Sequence, residues 1–126
     1  MAEISYKPDH YNTLNIYLFV DDGKAAVDFY VKAFDGVVAQ HAQEPRLTEA
    51  AQMNEGSVSA VLGLRGWPAV AEESVIARDV LLAGHVGSRL HVCHVSTAGS
   101  VEILRWAKGK GIDVTADLYP YTSAGT

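Results

Sequence analysis

Pro68–Val95, PAVAEESVIARDVLLAGHVGSRLHVCHV, holds the change of hydrophobic period on which the fold turns. Over Pro68–Ala83 the spacing is helical, with Val70, Ser74, Ala77 and Leu81 on one stripe. Pro68 stands where a first-turn proline is tolerated. Glu72 and Glu73 fall near the positive end of the helix dipole, and Gly84 lies just past the other end. From Arg89 to Val95 (RLHVCHV) the period drops to two, the spacing of a strand. A helix that feeds a strand in this way is the repeating unit of a parallel α/β sheet.

Working outward, Ser96 or Thr97 caps a helix over Ala98–Lys108, with Val101, Leu104 and Ala107 inward. Gly109-Lys110-Gly111 ends it, and Ile112–Leu118 (IDVTADL) reads as a further strand. On the other side, Thr13–Val20 (TLNIYLFV) is β-branched and aromatic, and it stops at Asp21-Asp22-Gly23. A helix follows over Gly23–Phe34, capped by Asp21 or Asp22 and stopped by Asp35-Gly36, and then a strand over Val37–His41. Arg46–Met53 reads as a short helix, and Gly56–Pro68 is broken by Gly56, Gly63, Gly66 and Pro68. The order β-α-β-(α-α)-β-α-β predicts a single α/β domain over residues 1–126 with a four-stranded parallel sheet. That amounts to half of a (β/α)₈ barrel or a small open sheet.

The bulk properties narrow the classes. A chain of 126 residues is too short for a whole (β/α)₈ barrel, which needs at least about 200. A net charge of −5 argues against a nucleic-acid surface, and no apolar run is long enough to cross a membrane. Cys93 is the single cysteine, which excludes an internal disulfide and suits a reducing cytoplasm. Opposite His94 on its strand, it reads as a small buried hydrophobe rather than a nucleophile.

The stretch from His41 to Ile112 carries HA-x-E, MNEG, LGL-x-GWP-x-x-AE, ARD and H-x-CH-x-ST in order. It closely resembles the dihydroorotases of the amidohydrolase superfamily, and the likeness extends over about residues 37–112. The resemblance implies a (β/α)₈ barrel, with this segment as its fifth strand through its sixth helix. It also implies hydrolysis of a cyclic amide by a metal-activated water. Tyr11–Gly36 is similar instead to the opening βα unit of the glyoxalase/bleomycin-resistance (vicinal oxygen chelate) family. DVTADLYPYT (Asp113–Thr122) resembles the D-aminoacylases. Three resemblances meeting at element boundaries point to a chimera of natural pieces, engineered or selected, with an unusual natural fusion or truncation as the other reading.

Carried over residue by residue, the dihydroorotase resemblance places zinc ligands at His41 and His94, with Asp117 as a candidate third. Alternation puts His41 on the face of Val37 and Ala39, and His94 on the face of Leu90 and Val92, opposite His91. Solvated or hydrogen-bonded strand-end groups are the plainer reading of all three residues. Glu44, close behind His41, reads as facing water or an ion-pair partner. No H-x-H occurs, and a catalytic zinc centre uses three protein ligands plus water. The expectation is therefore a scaffold with an incomplete metal site and no catalytic activity of its own. One alternative is a residual zinc-dependent cyclic-amide or N-acyl-amino-acid hydrolase acting as an oligomer. Another is a small-molecule-binding module of the vicinal oxygen chelate type. The free edges and apolar face of half a barrel predict a two-fold homodimer.

Overall fold

The computed structural model of the protein describes residues 36–118, together with residues 21–22, 24–26 and 29. Its elements are β1 (Val37–Gln40), α1 (Pro45–Thr48), β2 (Met53–Asn54), α2 (Ser57–Leu62), β3 (Gly66–Trp67), α3 (Val70–Val86), β4 (Arg89–Val92), α4 (Ala98–Gly109) and β5 (Val114–Ala116). β1, β4 and β5 form one sheet in that order, parallel throughout, with Val38 opposite Leu90 and His91 opposite Thr115. The expected strand over Thr13–Val20 lies outside the described residues, so three of the four anticipated strands are seen. Residues 24–26 and 29 are helical, and the Asp22 carboxylate caps them by accepting from the Ala25 N–H at 3.0 Å.

The core lies between the sheet and the helices α3 and α4. Val75, Ile76, Val80 and Ala83 of α3 meet Leu104 and Ala107 of α4 over Leu90, Val92 and Val114. Leu90 and Val92 are buried while His91 between them is half-exposed, so the helices cover one sheet face. Val37, Ala39 and Thr115 are exposed on the other face, which nothing among the described residues covers.

The inward side of α3 differs from the expected stripe. Val70 and Leu81 are 49% and 59% exposed, whereas Ile76 and Val80 are fully buried. The helix carries apolar residues around much of its circumference, so spacing alone leaves its rotation open. The sheet selects the β-branched Val75, Ile76 and Val80. On α4 the same small rotation buries Ser100 with Leu104 and Ala107 and leaves Val101 partly exposed.

Gly84 does not stop α3. It is a point of close approach, where a Cβ would stand 2.9 Å from Ile112 Cδ1. The helix runs on to Gly87, whose left-handed φ of +69° suits a glycine C-cap. The expected helix over Arg46–Met53 shortens to α1, and Ala50 adopts a left-handed φ of 58° before the chain extends into β2. β2 and β3 make a second, two-stranded parallel sheet; β3 lies within the stretch read as broken, whereas β2 begins at Met53, the last residue of the expected helix. Strands of two residues show no period to read. Their pairing depends on Gly66, where a Cβ would come within 2.4 Å of Glu55 Cα. No helix among the described residues is long and apolar enough to cross a membrane.

The rotation of α3 is open to test by urea denaturation. Ile76→Ala empties a fully buried position and should cost about 2–5 kcal/mol. Leu81→Ala, on the face first read as inward, should cost under about 1 kcal/mol because that side chain is mostly exposed.

Candidate functional site

His41, His94 and Asp117 follow the carboxyl ends of β1, β4 and β5, the end of a parallel α/β sheet where ligands gather. A one-residue bulge sets their arrangement. The Asp117 N–H donates to Val92 O at 3.1 Å, as the ladder register requires, and the regular continuation would have His94 N–H donate to Asp117 O. Val95 N–H does so instead, at 2.9 Å, leaving one extra residue between the two bonds. The displaced His94 N–H is taken by the Asp117 carboxylate. His94 itself sits at a left-handed φ of 41°, a region that costs a side-chain-bearing residue roughly 1–2 kcal/mol.

The bulge overturns the expected facing of His94. Alternation assigned it to the side of Leu90 and Val92, which the helices bury. The inserted residue instead brings its ring to His41, with Nε2 2.7 Å from His41 Nδ1 and the rings edge-on at a centroid distance of 4.6 Å.

Partners beyond the pair fix the tautomers. His41 Nε2–H donates to Gln43 Oε1 at 3.0 Å, and Gln43 Nε2 donates to Thr48 Oγ1 at 2.9 Å. The Thr48 hydroxyl in turn faces Glu44 O and Pro45 O, each at 3.3 Å. His41 Nδ1 is then the acceptor and His94 Nε2–H the donor of the 2.7 Å bond. Gln43 and Thr48 went unnoticed in the sequence because the four-residue helix that joins them is too short to show a period. Glu44, read as facing water or an ion-pair partner, caps α1 by accepting from the Arg46 N–H at 3.2 Å.

The Asp117 carboxylate faces the His94 backbone N–H and the His91 ring rather than the paired imidazoles. Besides His94 N–H, its carboxylate accepts from His91 Nε2–H at 3.2 Å, while Thr115 Oγ1 donates to His91 Nδ1 at 2.8 Å. The His94 N–H, then the His91 ring, hold the Asp117 carboxyl below the usual carboxylate range. Cys93 is half-buried, and burial followed by the Asp117 charge pushes its thiol up, away from the reactive thiolate. Among the described residues, no group of three or more His, Cys, Asp or Glu is placed to hold a metal ion. Two imidazoles converge, one fewer than a catalytic zinc centre takes from its protein.

Against known proteins, the family described as dihydro-orotase-like matches residues 18–100, about two-thirds of the chain. The dihydroorotase of Streptomyces coelicolor is 69% identical over 120 residues, covering 89% of this chain and 28% of that protein. That of Leifsonia xyli subsp. xyli is 63% identical over 129 residues, covering 96% of this chain and 29% of that protein. That of Mycobacterium tuberculosis is 48% identical over 114 residues, covering 84% and 26%. The chain therefore spans less than a third of the length of these relatives.

Among solved structures, a D-hydantoinase from Bacillus sp. AR9 superimposes with a TM-score of 0.61 at 24% identity, over 80% of this chain and 23% of that one. A dihydropyrimidinase from Brevibacillus agri gives 0.59 at 22%, over the same shares. That likeness is one of fold, and it agrees with a partial (β/α)₈ barrel. The expected chimera, and the inactive scaffold that went with it, are overturned. One relative runs along 96% of the chain, and the unmatched remainder is shorter than either end stretch that was assigned elsewhere.

The Asp117 clasp carries a pH signature. Because the folded carboxyl titrates below its unfolded value, the contribution is complete above about pH 3.9 and is lost as pH falls through the depressed folded value. The His94 amide proton should therefore shift in NMR spectra on acidification within that window. Asp117→Asn should abolish the transition.

Proposed function

The chain belongs to the dihydroorotase-like family, and from that membership we propose that it acts in metal-dependent hydrolysis of a cyclic amide of the dihydroorotate class, with His41 and His94 as two of the metal's protein donors. The observation that carries this reading is the imidazole pair, held 2.7 Å apart at the carboxyl ends of adjacent parallel strands.

The donor set fits a zinc-type ion in kind and nearly in distance. Two imidazole nitrogens on one tetrahedral zinc lie about 3.3 Å apart, so the observed pair needs to open by only about 0.6 Å. Gln43 holds His41 Nε2–H and so directs the Nδ1 lone pair toward His94, the outer support that metal-binding histidines commonly have. Such an ion supplies an acidified water and polarises the amide carbonyl. The chain's own contribution is to fix two donors and their tautomers.

The remaining donors come from outside the described residues of this single chain. A second copy is the source that the outer edges of β1 and β5 favour, since no strand among the described residues pairs with them, and it would make a two-fold dimer. The thiol of Cys93, protonated and free, suits the reducing cytoplasm proposed as its location.

Supplied with zinc, the protein should open the dihydroorotate ring faster than the same zinc alone. His41→Ala and His94→Ala should each lower that rate at least about 100-fold. Rates equal to the metal blank, or unchanged in both variants, overturn the reading. Light scattering of the active sample should give the mass of a dimer.

A further inference from the structure

Glu72, the third residue of α3, is the one charged residue that is buried among the described residues, at 9% exposure. It does not stay at the start of its own helix, as the dipole argument suggests. Its Oε1 accepts from the Ser96 N–H at 3.0 Å, the Thr97 N–H at 3.3 Å and the Thr97 hydroxyl at 3.5 Å. Its Oε2 accepts from the Ser96 N–H at 3.2 Å and from the Ser96 hydroxyl. All of these donors lie on the two residues that begin two places beyond His94.

The neighbouring bonds give the arrangement its meaning. Four consecutive N–H groups, His94 to Thr97, are held by two acidic residues, the first two by Asp117 and the last two by Glu72. One residue before Glu72, Ala71 O accepts from the Glu44 N–H at 2.9 Å, on the loop that carries His41 and Gln43. The first turn of α3 therefore grips both histidine-bearing loops. The N-terminus of α4 is already capped by Thr97, whose Oγ1 accepts from the Ser100 N–H at 3.2 Å. A buried carboxylate is a poor device for stability alone, because its desolvation offsets much of what its hydrogen bonds contribute. It does fix one conformation of a loop that starts from a left-handed residue.

We propose that Glu72 is a positioning residue: across the gap between α3 and the β4–α4 loop, its carboxylate holds Ser96 and Thr97 so that the His94 ring meets His41. This deepens the proposed function and rests on it only where metal binding is the readout.

The test uses the full chain labelled with ¹⁵N, comparing Glu72→Ala, Glu72→Gln and Glu73→Ala. Glu73 lies on the same turn with its carboxylate beside Gly99 of α4 rather than on Ser96 and Thr97, and it controls for charge and helix effects. Two signals are read: the imidazole nitrogen shifts that report the His41–His94 bond, and the affinity for Co²⁺ followed by its visible absorption. Glu72→Ala should lose the paired-imidazole shifts and bind Co²⁺ at least about ten-fold more weakly. Glu72→Gln, which keeps an acceptor oxygen, should recover most of both, and Glu73→Ala should change neither.

A Glu72→Ala protein that is less stable but keeps wild-type imidazole shifts overturns the proposal, because a purely structural role predicts that result. Should Glu72→Ala fail to fold, Glu72→Asp withdraws the charge by one methylene and is judged by the same outcomes. If wild-type protein binds no Co²⁺, the metal reading falls, while the imidazole shifts still decide the role of Glu72.

Discussion

The bulge after β4 is the constraint from which the site follows. Asp117 pairs through its backbone with both Val92 and Val95, and the residue left over cannot remain in the ladder. Its side chain must leave the helix-covered face, and its N–H needs a new acceptor. The Asp117 carboxylate supplies that acceptor, so one residue both creates the irregularity and satisfies it. A left-handed backbone at a histidine is unfavourable by itself, and it persists because the amides from Cys93 to Thr97 are all bound: Cys93 to Gln40 O, the next two to Asp117 and the last two to Glu72.

This arrangement explains how far the sequence could be read. The order of elements was legible because β1, α3, β4, α4 and β5 each carry a clear period, and the caps at Asp22 and Thr97 are of the expected residue types. The rotation of α3 was not legible, since Val70, Leu81, Val75 and Ile76 offer two apolar faces and only the sheet chooses between them. The facing of His94 failed for a sharper reason. Period-two alternation holds only while the ladder is regular, and a single inserted residue reverses every assignment beyond it. RLHVCHV contains no glycine or proline to announce the break. The signal was elsewhere, in Asp117, a short acidic side chain opposite the break and able to catch a displaced amide.

The two ends were misread for a related reason. A pattern of the strand-then-helix kind expected over Tyr11–Gly36 is written in much the same alphabet wherever it occurs, because burial and capping ask for the same residue types. Ten to twenty-six residues of such a pattern can resemble several lineages at once. A match of 63% identity along 96% of the chain cannot be reached by pattern alone, because exposed positions, which packing leaves unconstrained, must agree as well.

The imidazole pair then joins the fold to its chemistry. The Gln43–Thr48 relay places the hydrogen of the 2.7 Å imidazole bond on His94. A cation that enters must take the place of that proton, since the His94 Nε2 lone pair is free only when the hydrogen is elsewhere. On the proposed metal reading, proton and metal compete for one position. The same competition accounts for the close approach of the rings: a hydrogen bond draws together two donors that a metal would hold further apart. What is fixed in advance is the direction of the rings, set from outside the pair by Gln43 on one side and by the amide-bound loop on the other. The backbone adopts a left-handed histidine in reaching this arrangement, and the bound amides of the loop hold it there.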